Sequence, residues 1–172
     1  MADNVEHERK FIVSDVALVR KLVESDSNTS HMVQGYLLDR NGISVRARLT
    51  NNAGSFTLKG PRVGAKRVEH EQDISAEMAD LLLHACEGLL IRKMRFPIVD
   101  NELTWTIDVF LDDNEGLVLA EIEDPPENLE MPTWCSMEVT EDDRFYNLSL
   151  SRVPFSQWTD RVRFALDWRP EP

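Results

Sequence analysis

Val5-Glu6-His7-Glu8-Arg9-Lys10-Phe11 reads at a period of two. On an extended strand Glu6, Glu8 and Lys10 share one face and Val5, His7, Arg9 and Phe11 the other, because successive side chains leave opposite sides of the pleat. By itself the stretch describes one solvated face of an antiparallel sheet, a common alternation. A second acidic pair, Glu121 and Glu123, has the same spacing.

The pattern recurs on strand after strand. Arg46 and Arg48 alternate with Val45, Ala47 and Leu49, and Lys59 follows Phe56 and Leu58 in the same manner. Glu69 and Glu71 alternate with Val68 and His70, Lys93 and Arg95 with Arg92 and Met94, and Asp108 sits between Ile107 and Val109. Ordinary wet sheet faces mix Thr, Ser, Gln and charges of both signs. Here like charges stand two apart, which costs repulsion unless a counter-ion lies between them. Two readings follow: an open sheet with its polar face in water, or a sheet whose charged faces converge on a lumen with a highly charged occupant. For the second, Arg forks onto phosphate oxygens, Lys supplies point charges, and carboxylates at i and i+2 suit hard cations such as Mg²⁺ or Mn²⁺.

Working outward, Ser14 or Asp15 caps a short helix through Glu24. Met32 to Asp39 and Ile43 to Leu49 form a hairpin about Asn41-Gly42. Strands follow from Ser55 and over Arg67 to Ile74. Ser75 caps a helix from Ala76 to Glu87, closed by Gly88, with Met78, Leu81, Leu82, Ala85 and Leu89 as its core stripe. Strands resume at Leu90 to Phe96, Leu103 to Leu111 and Leu117 to Glu123. Asp124-Pro125-Pro126 signals a helix start, and Trp158, Val162, Ala165 and Trp168 stand at helical spacing in a terminal extension of about 155–169. About eight short strands joined by hairpins suggest an antiparallel α+β sheet, open or closed into a barrel.

At 172 residues, 42% hydrophobic and 29% charged, the chain suits one domain with a sizeable core. A net charge of -12 argues against a general nucleic-acid binder, which needs a basic surface, but allows a small polyanion held by locally clustered Lys and Arg. Cys86 and Cys135 are too few and too far apart for a disulfide framework or zinc site. The N-terminal stretch is acidic and has no apolar signal region, and no apolar run approaches the ~20 residues of a membrane span. The expectation is a cytoplasmic protein without a membrane or nucleic-acid partner.

The ordered set Glu6-x-Glu8-x-Lys10, Gln34-Gly35-Tyr36-Leu37, Val45-Arg46-Ala47-Arg48, Thr57-Leu58-Lys59-Gly60, Glu69-x-Glu71, Lys93-x-Arg95, Ile107-Asp108-Val109-Phe110, Ala120-Glu121-Ile122-Glu123 and Glu138-Val139-Thr140-Glu141-Asp142 through Asn147 resembles the CYTH superfamily, the triphosphate tunnel metalloenzymes. It spans about 5–147, and the tail beyond Val153 inherits nothing. The resemblance implies an eight-stranded antiparallel closed barrel, a tunnel with a charged lumen and helices packed outside. It implies metal-dependent hydrolysis of a triphosphate, most like the short bacterial inorganic triphosphatases. Other branches are class IV adenylate cyclases and thiamine triphosphatases; a non-catalytic polyphosphate-binding module is a further alternative, and a homodimer is compatible.

On that basis Arg46, Arg48, Lys59, Lys93 and Arg95 are the expected phosphate cradle, with Arg46, Lys59 and Lys10 the catalytic groups. Glu6, Glu8, Glu121 and Glu123 are the expected ligands of Mg²⁺ or Mn²⁺, and Lys10 positions or deprotonates the attacking water. Glu69, Glu71 and Asp108 are expected to orient lumen arginines, the alternative being metal binding through water, and Tyr36 to pack at the rim, the alternative being closure over the substrate. His7, His31, His70 and His84 fall outside the ligand set.

Overall fold

The computed structural model describes residues 8–25, 28–63 and 66–168. Nine strands build one antiparallel sheet: β1 (Glu8–Val13), β2 (Ser30–Arg40), β3 (Ile43–Thr50), β4 (Ala53–Val63), β5 (Lys66–Ile74), β6 (Glu87–Asp100), β7 (Leu103–Phe110), β8 (Val118–Glu123) and β9 (Cys135–Glu138), in the order β5-β4-β3-β2-β6-β7-β8-β1-β9. Helices α1 (Val16–Ser25), α2 (Ala76–His84) and α3 (Asn147–Arg152) complete the α+β architecture. The Asn41-Gly42 hairpin forms as read, with φ of 55° and 76°, the left-handed pair a two-residue turn requires.

The closed eight-stranded barrel does not form. The sheet has nine strands, and its edge strands β5 and β9 do not pair with each other among the described residues. A strand edge offers one row of N–H and C=O groups, and β9 takes the free row of β1, from Phe11 opposite Glu138 to Val13 opposite Cys135. At four residues, Cys-Ser-Met-Glu has too short an alternation to announce itself as a strand.

Three local expectations also change. Helix α2 is capped by Ser75, whose Oγ accepts from the Met78 N–H at 3.2 Å, but it stops at His84, and Glu87 and Gly88 already belong to β6. Its buried residues are Ala79 and Leu83. Met78 and Leu81, expected in the core stripe, are exposed, because the helix packs on the sheet along its Ala79 and Leu83 side, with Ala79 close over Gly54 of β4. No helix starts at Asp124-Pro125-Pro126. The tail beyond α3 forms two 3-10 turns, Phe155–Gln157 and Arg161–Arg163, not a helix. Tertiary bonds hold its backbone elsewhere: Phe155 N–H donates to the Asn114 side chain at 2.8 Å and Leu166 N–H to Gly116 O at 2.9 Å.

Two cores flank the sheet. On one face Phe11, Val13, Trp105, Ile107, Val109, Val118, Ala120 and Ile122 pack with Val19 of α1. Burying such side chains stabilises by roughly 1.5–3 kcal/mol each, so alternation alone fixes which face of β1, β7 and β8 turns inward. The second core lies on the opposite, charged face. Ile12 and Leu119 are direct partners, and they cluster with Ile91, Phe110, Phe145, Leu150, Phe155, Trp158 and Phe164. The charged face is therefore apolar where the chain's last third covers it. Arg144 secures that cover, lying 4.7 Å from the Trp158 ring and ion-paired to Asp142 at 2.7 Å and Asp160 at 3.1 Å.

Close packing under α2 gives a stability test. A Cβ at Gly54 would lie 2.7 Å from both the Ala79 Cβ and the Ser75 carbonyl oxygen, whereas one at Gly60 would meet Val68 at an ordinary 3.6 Å. Gly54→Ala is expected to lower unfolding free energy in urea by about 1–3 kcal/mol, and Gly60→Ala to stay within about 1 kcal/mol of the native chain. Equal stabilities for the two variants would contradict this packing.

Candidate active site

Strand register places one set of side chains on a single face across the whole sheet. Glu71 lies opposite Thr57, Thr57 opposite Arg46, Arg46 opposite Tyr36, and Arg48 opposite Gln34. Met32 faces Lys93, Arg95 faces Asp108, Thr106 faces Glu121, Glu121 faces Lys10, and Glu8 faces Glu123. A period of two preserves this face from β5 to β1. Among the expected site residues only Glu6 lies outside the described residues.

One end of the face is a continuous chain of ion pairs. Lys10, 4% exposed, donates to Glu8 at 2.7 Å and to Glu121 at 2.6 Å. Glu121 also accepts from Arg95 at 3.0 Å, and Arg95 donates two bonds of 2.7 Å to Asp108. Lys93 closes the chain, its ammonium 2.5 Å from Asp108. Burial works against the Lys10 ammonium, but Glu121 and Glu8 outweigh it and raise its pKa above the usual lysine value. Burial would likewise raise Asp108, yet Lys93 and the forked Arg95 hold this carboxylate down to about 2. At Lys93 burial wins and pulls the ammonium down, against the attraction of Asp108. Lys93 is 1% exposed, so its ammonium is committed to Asp108 and Asn147 (3.5 Å) and does not open onto the face.

The other end is more open. Arg46 donates to Thr57 at 2.9 Å and Glu71 at 3.0 Å, and Thr57 donates to Glu71 at 2.7 Å. The Thr57 bond, then Arg46 and Arg48, hold Glu71 below its ordinary pKa. Lys59 pairs with Glu69 at 2.8 Å. Arg48 forms no ion pair among the described residues, and the Nε atoms of Arg46 and Arg48 are buried without a hydrogen-bond partner there. Burial, then the neighbouring Arg46 and Arg95, lower Arg48 to about 10, which leaves it cationic near neutrality. Tyr36 is pushed up by burial, and its hydroxyl accepts from Gln34 at 3.2 Å. A buried, unpaired guanidinium donor facing a like charge costs several kcal/mol in isolation. An anion between the two arginines removes that cost.

Sequence reasoning assigned no role to Thr57, Gln34, Thr140, Tyr146 or Asn147. Thr57 is two residues from Lys59 and opposite Arg46, a position legible once register is known. Thr140 accepts from the Lys10 N–H at 3.0 Å, and Val139 N–H donates to Lys10 O at 2.8 Å, contacts that depend on a loop returning from 130 residues away.

A CYTH domain model matches residues 4–146. The chain belongs to the CYTH family. Among CYTH proteins it is 38% identical over 158 residues to an inorganic triphosphatase of Acetivibrio thermocellus, covering 90% of this chain and 98% of the relative. It is 31% identical over 153 residues to an inorganic triphosphatase of Nitrosomonas europaea, covering 85% and 96%. The crystal structure of the inorganic triphosphatase NE1496 superimposes with a TM-score of 0.64 at 28% identity, over 85% of this chain and 93% of that one.

The Asp108 network makes a pH-dependent prediction for this CYTH chain. A carboxylate held at about 2 when folded and near 3.8 when free adds stability that is complete above about pH 4 and is lost as pH falls through about 2. Asp108→Asn is expected to lower stability by about 3–5 kcal/mol at neutral pH, because it leaves Lys93 buried without a counter-charge and Arg95 with Glu121 alone. Urea melts between pH 2 and 7 should show the deficit narrowing towards the acid end. A constant deficit across that range would contradict it.

Proposed function

We propose that the chain hydrolyses the terminal phosphoanhydride bond of inorganic tripolyphosphate, releasing orthophosphate and pyrophosphate, on its charged sheet face. The observation that carries the reading is the pair of half-buried arginines, Arg46 and Arg48, whose buried Nε donors lack partners among the described residues, on the same face as the carboxylates Glu8, Glu121 and Glu123. Membership of the CYTH family and the inorganic triphosphatases among its relatives support it.

The donor set suits Mg²⁺ or Mn²⁺. Glu8 and Glu123 oppose each other directly, a like-charge pair that is unfavourable without a cation. All three carboxylates offer hard oxygens, and a positive group, the Lys10 ammonium, already sits between Glu8 and Glu121. Among the described residues no three acidic, His or Cys groups converge as a cluster, and Glu6 lies outside them. When bound, a divalent ion would neutralise phosphate oxygens and polarise a water.

The chain's own groups divide the remaining work. Arg46 and Arg48 fork onto phosphate oxygens, and Lys59 adds a point charge beyond them on the same face. These cations meet the charge that builds on the bridging oxygen as the terminal P–O bond loosens. Arg95 is aimed at the site by Asp108, and Lys93 neutralises that carboxylate from behind. The cradle is therefore Arg46, Arg48, Lys59 and Arg95, with Lys93 and Asp108 positioning it. Lys10, raised above its ordinary pKa, orients the attacking water as a cation near neutral pH.

Phosphate release from tripolyphosphate with and without Mg²⁺ or Mn²⁺ tests the reading. Arg48→Ala is expected to lower kcat/KM by about 100-fold, and Glu8→Gln to remove the metal stimulation. The reading fails if neither metal supports orthophosphate release, or if Arg48→Ala turns over at the native rate.

A further inference from the structure

We propose that Tyr146 is a positioning residue of this site, acting through Lys10. The inference rests on the placing of Lys10 in the reaction. Two directions around the Lys10 ammonium are taken by carboxylates, Glu8 at 2.7 Å and Glu121 at 2.6 Å. Another is covered by the Tyr146 ring, whose centroid lies 5.6 Å from Nζ. Lysine carries three N–H donors, and the two carboxylates take two of them. The negative face of the ring lies against part of the remaining positive surface, beside the third N–H, which is the one left for a water or phosphate oxygen.

The ring is held there by the residue it serves. The Tyr146 hydroxyl donates to the Thr140 carbonyl at 3.4 Å, Thr140 Oγ1 accepts from the Lys10 backbone N–H at 3.0 Å, and Val139 N–H donates to the Lys10 carbonyl at 2.8 Å. Residues 139–146 thus grip Lys10 at both backbone groups and at its side chain. Next along the chain, Asn147 accepts from Lys93 at 3.5 Å. The segment touches the two buried lysines of the face, one after the other.

Tyr146 is 40% exposed, while Lys10 is 4% exposed. A tyrosine half in water is a poor source of core stability, and its ring contact with Lys10 is what ties it to this site. The ring limits the ammonium's rotation and shields it from solvent on that side. A lysine that must present a proton to one water or phosphate oxygen gains from fewer alternative directions.

Tyr146→Phe keeps the ring and is expected to hold kcat within about twofold of native. Tyr146→Leu keeps the apolar bulk without the quadrupole and is expected to lower kcat about three- to thirty-fold with KM for tripolyphosphate unchanged. In a Lys10→Met background the Leu substitution should cost nothing further. The Lys10 ε-methylene proton signals, moved upfield by ring current in the native chain and in Tyr146→Phe, should return downfield in Tyr146→Leu. If Tyr146→Leu does not fold, Tyr146→Met carries the same set. Native kcat in the ring-free variant, a raised KM at constant kcat, an equal loss with and without Lys10, or no ring-current shift would each overturn the proposal. Native turnover by Lys10→Met alone would sink the role of Lys10 while leaving the ring-current contact intact, so the two failures are distinguishable.

Discussion

Asp108 is fully buried and accepts from two cations at once, the Lys93 ammonium and the Arg95 fork. Charge in a protein interior is tolerated only when it is paired and hydrogen-bonded. Once Asp108 is placed on β7, Lys93 and Arg95 of β6 must come to it, and the free side of Arg95 reaches Glu121 on β8. Glu121 then meets Lys10 of β1. A single burial requirement therefore sets the rotamers of four strands and leaves the carboxylates of β1 and β8 at the open side of the chain of pairs.

Charge balance differs between the two ends of the face. From β6 to β1 the cations are matched by carboxylates at hydrogen-bond distance. On β3, Arg46 has Glu71 and Thr57, but Arg48, among the described residues, has the more distant fields of Glu71 and Tyr36 against the repulsion of Arg46 and Arg95. A folded chain keeps an under-compensated guanidinium when a ligand completes the balance. The same face becomes apolar at Ile12, Ile91, Phe110 and Leu119, where Phe145, Leu150 and the tail cover it. That cover bounds the charged face on one side.

The period-two alternation of β1, β7 and β8 was readable because one face of each packs into the apolar core of Phe11, Trp105 and Ile107, and a one-residue slip would put charge into that core. The Ser75 cap and the Asn41-Gly42 turn were readable because their chemistry is local. The end of α2, the short strand β9 and the 3-10 turns of the tail were not. The last two are set by partners remote in sequence: the free edge of β1, and the Asn114 and Gly116 groups that draw Phe155 and Leu166 out of helical geometry.

The sequence by itself determined which residues share the charged face, because side-chain direction on a strand follows from position alone, and its ordered motifs pointed to the family. Tertiary structure decided what each charge does. It paired the buried Lys93 with Asp108, left Arg48 without an ion pair among the described residues, and brought Tyr146 over Lys10. The Lys93–Asp108 ion pair joins residues 15 positions apart and the Lys10–Tyr146 ring contact residues 136 apart, and spacing along the chain carries no information about such contacts. The open sheet was likewise a tertiary outcome, since closure depends on which strand reaches the free edge of β1, and β9 does so.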